Sequence, residues 1–402
     1  MNMKKFSLNS EIFTRGVEEV VTREELKKML TSGRQLRIKL GIDPTAADLH
    51  IGHAAPLWKI RSLQEAGHKA VIILGDFTVK IGDPTGRSSA RQILAPTVVR
   101  KNIASQRKQI EQILLADPKV YELRRNSEWW GKMGADDLLG LTSMITHARL
   151  IERSMFQERM RQRKEIIASE ILYPLLQGYD SVAIQSDLTI IGSDQLFNEH
   201  LGRFFQEKFG QHPQAIVTLK IQPGLDGGEK MSKSLGNYIG LNDAPQDKFG
   251  KAMRLIDPFI VPYLETYTDV PYARIDDIKK ELQEGKNPME AKLFFAEALV
   301  RRYHGEALGR KERERFLNVF SKHEIPDEIP AVRLKHGGQW DPAALLVAAG
   351  LAPSKSEARR LIRQGAVEID GRTIKDAKDK IKLERGILVR VGKRKFLRIA
   401  PK

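Results

Sequence analysis

The stretch "LRIKLGIDPTAADLHIGHAAPLWKIRSLQEAG" (36–67) places a strand, a tight turn and a helix in that order. Leu36, Ile38, Leu40 and Ile42 alternate at the period of a strand. Leu57, Ile60 and Leu63 recur on one helical face, and Gly67 supplies a stop. Further strands read out of "KAVIILGD" (69–76), "SDLTIIGSD" (186–194) and "PQAIVTL" (213–219), each followed by a helix or loop. Alternation of this kind implies an α/β fold with a doubly wound parallel sheet.

The character changes near Asp247. "IDDIKKELQEGKNPMEAKLFFAEALVRRYHGEA" (275–307) is charged and helical, with no strand signal. Pro326, Pro330 and the pair Gly337–Gly338 mark a linker, and the last 60 or so residues read as two helices and short strands around "VEIDGRTI" (367–374). At 402 residues the chain is long enough for two or three domains. The expected division is 1–246 for the α/β domain, 247–322 for a helical domain, 323–339 for the linker and 340–402 for a small α+β unit.

The net charge is +16, and from Lys355 to Lys402 sixteen Lys and Arg stand against six Asp and Glu. An excess concentrated this way suits a polyanionic partner. There are no cysteines, so disulfides and thiolate metal sites are excluded. No apolar run approaches the roughly 20 residues of a membrane span, and the first residues lack the apolar core of a secretory signal. A cytoplasmic chain with no membrane attachment is expected.

His50 and His53, three apart, share one face at the start of the helix that follows the first strand. Gly52 between them lets a flat ring approach the backbone. A helix N-terminus favours phosphate, and two imidazoles add donors. The turn sits where open α/β sheets bind ligands. By itself a His-x-Gly-His match is also what a capped helix with two incidental histidines shows; its chance rate in such a chain is roughly 10⁻² on average residue usage. "LDGGEKMSKS" (225–234) adds a glycine-hinged basic loop, and Lys-Met-Ser-Lys-Ser arises by chance on the order of 10⁻⁴ on the same usage.

"HIGH" (50–53) with "KMSKS" (230–234) resembles the two nucleotide-binding motifs of class I aminoacyl-tRNA synthetases. "KLGIDPT", "IGDPTGRS", "ILYPLLQGYDSVA", "GSDQ" and the basic tail extend the resemblance over nearly the whole chain, to the bacterial tyrosyl-tRNA synthetases. The resemblance implies a Rossmann-like catalytic domain, an α-helical anticodon-binding domain and a ribosomal-protein-like RNA-binding domain. It implies tyrosine, ATP with Mg²⁺, and tRNA(Tyr) as partners, a homodimer joined through the apolar stretch 126–152, and no protein-bound metal.

It also implies roles. Thr45 and His50 contact the γ-phosphate end of ATP, and His53 lies near the ribose. Lys230 and Lys233 meet the pyrophosphate, with Met231, Ser232, Ser234, Gly52 and Arg87 in the same ATP site and Asp194 on its ribose. Asp83, Tyr173 and Gln177 take the ammonium group of tyrosine, Gln195 its carboxyl region, and Asp180 its phenol, with Gly41 beside them. Tyr173, Gln177 and Asp180 fall on one helix face, which a merely polar stripe would also explain. Many members carry a tyrosine where this chain has Lys39, so no second partner for the phenol is carried over, and Asp43 is only a weak candidate. Lys355, Arg359, Arg360 and Arg363 lie on an amphipathic helix suited to RNA phosphates. Tryptophanyl-tRNA synthetase, a nucleotidyltransferase and a non-catalytic RNA-binding descendant are the competing readings.

Overall fold

Six strands form the main sheet: β1 (Val17–Val21), β2 (Arg37–Ile42), β3 (Lys69–Leu74), β4 (Tyr121–Arg125), β5 (Leu188–Gly192) and β6 (Ala215–Leu219). Their spatial order is β1-β6-β5-β2-β3-β4. β2 to β6 run parallel, and β1 closes the edge antiparallel to β6. From β2 the chain winds outward through β3 and β4, then returns to the other side as β5 and β6. The crevice between β2 and β5 is therefore the topological switch point, where such sheets bind ligands. The structure, a computed structural model, describes residues 6–85, 94–233, 235–321, 329–334, 339–374, 376, 379–383, 386–392 and 395–401.

The strand expected at 36–42 is the centre of this sheet. Its alternation is real, but both faces are covered: Ile38, Leu40 and Ile42 are buried, and so is Lys39. Central strands of parallel sheets are enclosed by helices on both sides. α1 (Ile51–Glu65) buries Leu57, Ile60 and Leu63, as the spacing predicts. α2 (Pro96–Glu111) follows β3, and α3 (Ala168–Ala183) and α4 (Leu196–Lys208) flank β5 in sequence. α3 and α4 meet closely. A Cβ on Gly178 would stand 3.0 Å from Leu201 Cβ, and one on Gly202 2.7 Å from Ser181 Oγ. That proximity brings polar side chains of the two helices into one network.

Beyond Asp247 the chain is helical: α5 (Pro245–Ala252), α6 (Ile260–Tyr267), α7 (Tyr272–Gln283) and α8 (Pro288–His304). Phe249, Tyr263, Leu264 and Phe295 are buried among them. The compact units are Met1–Glu306 and Ala307–Lys402. The change of character at Asp247 thus marks a switch from sheet to helices inside one compact unit. Trp58 of α1 donates to the Tyr303 hydroxyl of α8, which ties the two parts together.

The second unit holds most of α9 (Glu306–Ser321), then α10 (Pro342–Ala348) and α11 (Lys355–Arg363). Its strands β7 (Ala331–Leu334), β8 (Val367–Ile369), β9 (Arg372–Thr373), β10 (Ile387–Val391) and β11 (Lys395–Pro401) are ordered β9-β8-β10-β11-β7. Asp370 and Gly371 both have positive φ, so the tight "DGR" turn is a two-residue hairpin between β8 and β9. Ala358, Ile362, Val367 and Ile369 enter its core.

Candidate functional site

A cleft of about 770 Å³ opens at the carboxyl ends of β2, β3, β5 and β6. Among the described residues, every nucleotide and amino-acid candidate from Gly41 to Lys233 lines it. Arg87 and Ser234 lie outside the described residues.

One end of the cleft gathers the imidazoles of His50 and His53 and the lysines Lys230 and Lys233. His50 caps α1: its Nδ1 accepts the Gly52 N–H at 3.2 Å, and His53 Nδ1 accepts the His50 N–H at 3.3 Å. Both Nδ1 atoms are therefore acceptors, which leaves the proton of each neutral ring on Nε2 as a donor. Burial, the neighbouring His53 ring and the lysines hold His50 well below its ordinary range, while burial with Lys233 and Lys230 holds His53 down to about 4. The flat ring against Gly52 is that of His50, whose Nδ1 would be 2.9 Å from a Cβ there. Thr45 turns back on Asp43, its N–H donating to the Asp43 carbonyl.

The basic loop reaches across to this end. Lys230 Nζ lies 2.8 Å from Asp194 Oδ2, and Lys233 Nζ donates to the Asp48 carbonyl. Gly227 has φ +73°, and its ideal Cβ would come within 2.3 Å of Ile256, so only glycine fits there. Met231 is buried, and the Ser232 N–H donates to Asn237 Oδ1 at 2.8 Å. Asn237 also donates to Asp226, which makes it the organiser of the loop. The Ile51 N–H donates to the Ile239 carbonyl and the Leu241 N–H to the Leu49 carbonyl. The segment that follows the basic loop is thus joined by backbone hydrogen bonds to the first motif, far from it in sequence.

The other end is closed and acidic. Trp129 and Trp130 both donate their indole N–H to Asp180 Oδ1, at 2.9 and 3.0 Å. Oδ2 accepts from Asn126 Nδ2 at a longer 3.4 Å, so it is the freer oxygen. Burial pushes Asp180 up to about 6, against the charge of Lys39 and the indole bonds. Asp43 is a full member of the site: it accepts from Tyr173 Oη at 3.0 Å and Thr78 Oγ1 at 2.7 Å. Burial raises Asp43 to about 7, the two hydrogen bonds oppose that, and the charges of Asp83 and Asp180 add to it.

Between the ends lies a cluster of acceptors. Asp83 takes both the N–H and the hydroxyl of Thr85, and Gln195 Nε2 at 2.7 Å. Gln195 Oε1 and Gln177 Oε1 both accept from Asn198 Nδ2. A Pro-Thr turn is legible in the sequence; the convergence of Asn198 on both glutamines is not. Asn126, Trp129, Trp130 and Asn198 are site residues that sequence reasoning misses. Trp129 and Trp130 read there as core or interface, because an indole in an apolar stretch carries no sign of its hydrogen-bond partner.

In the second unit Lys355, Arg359, Arg360 and Arg363 are all exposed on α11. Arg360 donates to the Glu357 carboxylate at 2.9 and 2.6 Å, a pairing within the helix itself.

A family described as class I tRNA synthetases (W and Y) matches residues 31–321, and an S4 domain matches 343–386. The tyrosine–tRNA ligase of Thermotoga maritima is 45% identical over 97% of this chain and 96% of its own, and that of Moorella thermoacetica is 44% identical over 96% and 94%. The solved tyrosyl-tRNA synthetase of Archaeoglobus fulgidus, complexed with L-tyrosine, superposes with a TM-score of 0.60 over 75% of this chain and 98% of that one, at 23% identity. It shares the fold. The chain belongs to the class I tRNA synthetases and, within them, to the tyrosyl-tRNA synthetase family. Relatives named for tyrosine, at this identity and coverage, are what separates it from the tryptophan branch.

Proposed function

We propose that this chain ligates tyrosine to tRNA(Tyr) in two steps within the one cleft. In the first, the tyrosine carboxylate attacks the α-phosphate of ATP; the new P–O bond forms as the bond to pyrophosphate breaks. In the second, a hydroxyl at the 3′ end of the tRNA attacks the acyl carbon, and AMP leaves. The observation that carries this reading is the order of groups along the cleft. A freer carboxylate oxygen on Asp180 stands at the closed end, acceptors Asp83, Gln177 and Gln195 follow, and donors His50, His53, Lys230 and Lys233 stand at the open end. That order matches a phenol, an ammonium group and a chain of phosphates.

Each group has its task. Asp180 accepts the phenolic hydroxyl, and phenylalanine would leave a buried acceptor unpaired. Asp83, Tyr173, Gln177 and Gln195 hold the substrate's amino-acid end, beside Gly41. The Nε2–H donors of His50 and His53, with Thr45 and Gly52, receive the triphosphate and ribose edge. Lys230 and Lys233 neutralise charge that builds on the departing pyrophosphate, so they act mainly in the transition state. Met231 and Ser232, with Ser234 and Arg87, complete the ATP side, and Asp194 takes the ribose. The donors at the phosphate end are cations and imidazoles, which fit phosphate oxygens better than a metal ion. Mg²⁺ is then a counter-ion that arrives with ATP and keeps most of its waters.

The helices of 247–322 serve as the anticodon-binding region, and 340–402, linked through 323–339, as the RNA-binding domain that uses Lys355, Arg359, Arg360 and Arg363. Leu139, 65% exposed, and Met144, 37% exposed, are apolar surface suited to a two-fold interface within the catalytic domain 1–246. Among the described residues no helix is long and apolar enough to cross a membrane, and we place the chain in the cytoplasm.

The test is exchange of labelled pyrophosphate into ATP with each of the twenty amino acids. Exchange with tyrosine alone is expected. Exchange with tryptophan would move the chain to the sister branch and remove the role of Asp180. No exchange with any amino acid, from a folded chain that binds RNA, would establish a non-catalytic descendant.

A further inference from the structure

Beneath the cleft lies an ion pair that does not line it. Lys39 of β2 is 1% exposed and Glu199 of α4 is fully buried. Lys39 Nζ stands 2.7 Å from Glu199 Oε2 and donates to Ser181 Oγ at 2.6 Å. Removing two ions from water is costly, and apolar residues of similar volume often stabilise a core as well or better. Stability is therefore a poor account of this pair, and its hydrogen bonds supply a better one.

Gln177 Nε2 donates to Glu199 Oε1 at 2.9 Å, and Gln214 Nε2 donates to Glu199 Oε2 at 2.7 Å. A carboxylate accepts and does not donate. Gln177 must then turn its NH₂ toward Glu199 and its Oε1 away, where it accepts from Asn198 Nδ2 at 2.8 Å. Asn198 Nδ2 also donates to Gln195 Oε1 at 3.0 Å, and Gln195 Nε2 donates to Asp83 Oδ2 at 2.7 Å. Each amide is oriented by the one before it. The chain begins at one carboxylate, Glu199, and ends at another, Asp83. Its product is two amide oxygens beside a carboxylate, and each amide oxygen keeps a second lone pair.

We propose that the Lys39–Glu199 pair is a positioning device for the substrate's ammonium group: Lys39 pairs with the Glu199 carboxylate and holds it in place, and Glu199, through Gln177 and Asn198, fixes the oxygens of Gln177 and Gln195 as acceptors. The inference rests on the reading that this cluster takes the ammonium group. Were Glu199 protonated or an amide, it would donate to Gln177 and turn that side chain over. An NH₂ would then face a cation. Lys39 serves the other recognition group too, because its charge favours the carboxylate form of Asp180.

Glu199→Gln tests this directly in the full-length enzyme. It keeps the volume and leaves Lys39 an acceptor, but offers Gln177 a donor. In pyrophosphate exchange its KM for tyrosine is expected to rise about tenfold or more, the loss of one hydrogen bond to a charged group, with KM for ATP unchanged. The double variant K39M/E199L separates positioning from folding. Its melting temperature is expected to match the parent while its KM for tyrosine stays raised. A parental KM for tyrosine in either variant, once folded, overturns the inference. Gln177→Ala separates the two levels: if it leaves KM for tyrosine unchanged, the reading of the cluster falls and the inference with it. If it raises KM while E199Q does not, the inference alone falls.

Discussion

The two ends of the cleft are built on opposite plans. At the closed end Asp180 is buried and held by two indoles and an amide, and its neighbours Asp43 and Tyr173 are bonded to each other. At the open end Lys230 keeps 49% of its side chain exposed and bonds the Asp194 carboxylate, on a loop shaped by Gly227. On the proposed reading the closed end is held tightly because it discriminates among ground states, and an unpaired buried acceptor discriminates strongly. On the same reading the open end is a cationic arm that meets charge existing only late in the reaction. Specificity and rate are thus placed in different physical settings within one cavity.

That contrast breaks most visibly at Lys233. Lys233→Ala is expected to lower kcat of tyrosine-dependent exchange by about 10² to 10³, the usual loss of one preorganised charge donor, with KM for tyrosine unmoved. Steady-state exchange checks it, and an equal rise in KM for tyrosine would place Lys233 in ground-state binding instead. At the closed end, Asp180→Asn is expected to cut the preference for tyrosine over phenylalanine by about 10- to 100-fold, sparing KM for ATP. Its Oδ1 must still serve Trp129 and Trp130, so the NH₂ falls where the freer oxygen was. Unchanged selectivity would remove the role of Asp180.

The same contrast carries a pH signature. Asp180 is raised to about 6, so it is a carboxylate above that pH and gains a proton below it. Selectivity for tyrosine over phenylalanine should fall as pH drops from 8 to 5, with a midpoint near 6. His53, held near 4, stays neutral over the whole interval, so KM for ATP should not follow. Stability takes the opposite sign. A buried carboxyl with a raised pKa favours the fold while protonated, so the contributions of Asp180 and Asp43 are present at low pH and lost as pH rises through about 6 and 7. Competition of the two amino acids at three pH values reads out the first effect.

The smallest expected effect lies in the second unit. Arg359→Ala with Arg363→Ala should leave pyrophosphate exchange intact. The salt slope of tRNA affinity should become shallower by about one for each RNA phosphate that an arginine no longer neutralises. A fall in exchange would show that α11 supports the catalytic unit.

Much of this is legible in the sequence. The strand–turn–helix at 36–67, the tight hairpin at Asp370–Gly371 and the pairing of the two phosphate motifs follow from period, turn chemistry and residue type, which are local properties. The core positions of α1 need only helical spacing. By contrast, Lys39 sits at the polar step of an alternating strand, where a solvated face is the ordinary reading. Only the sheet order, which places β2 between β3 and β5, shows that this face is enclosed. Asp43 is a weak candidate in the sequence, and it joins the site only because Tyr173, 130 residues away, comes within hydrogen-bond distance. Trp129 and Trp130 read as apolar bulk until their N–H groups meet Asp180. Sequence alone determined the elements, the motif pair and the basic tail, because each depends on residues close together in the chain. Tertiary structure alone decided which polar groups share a buried bond, because that depends on which helices approach within a few ångströms and on what burial then does to each charge.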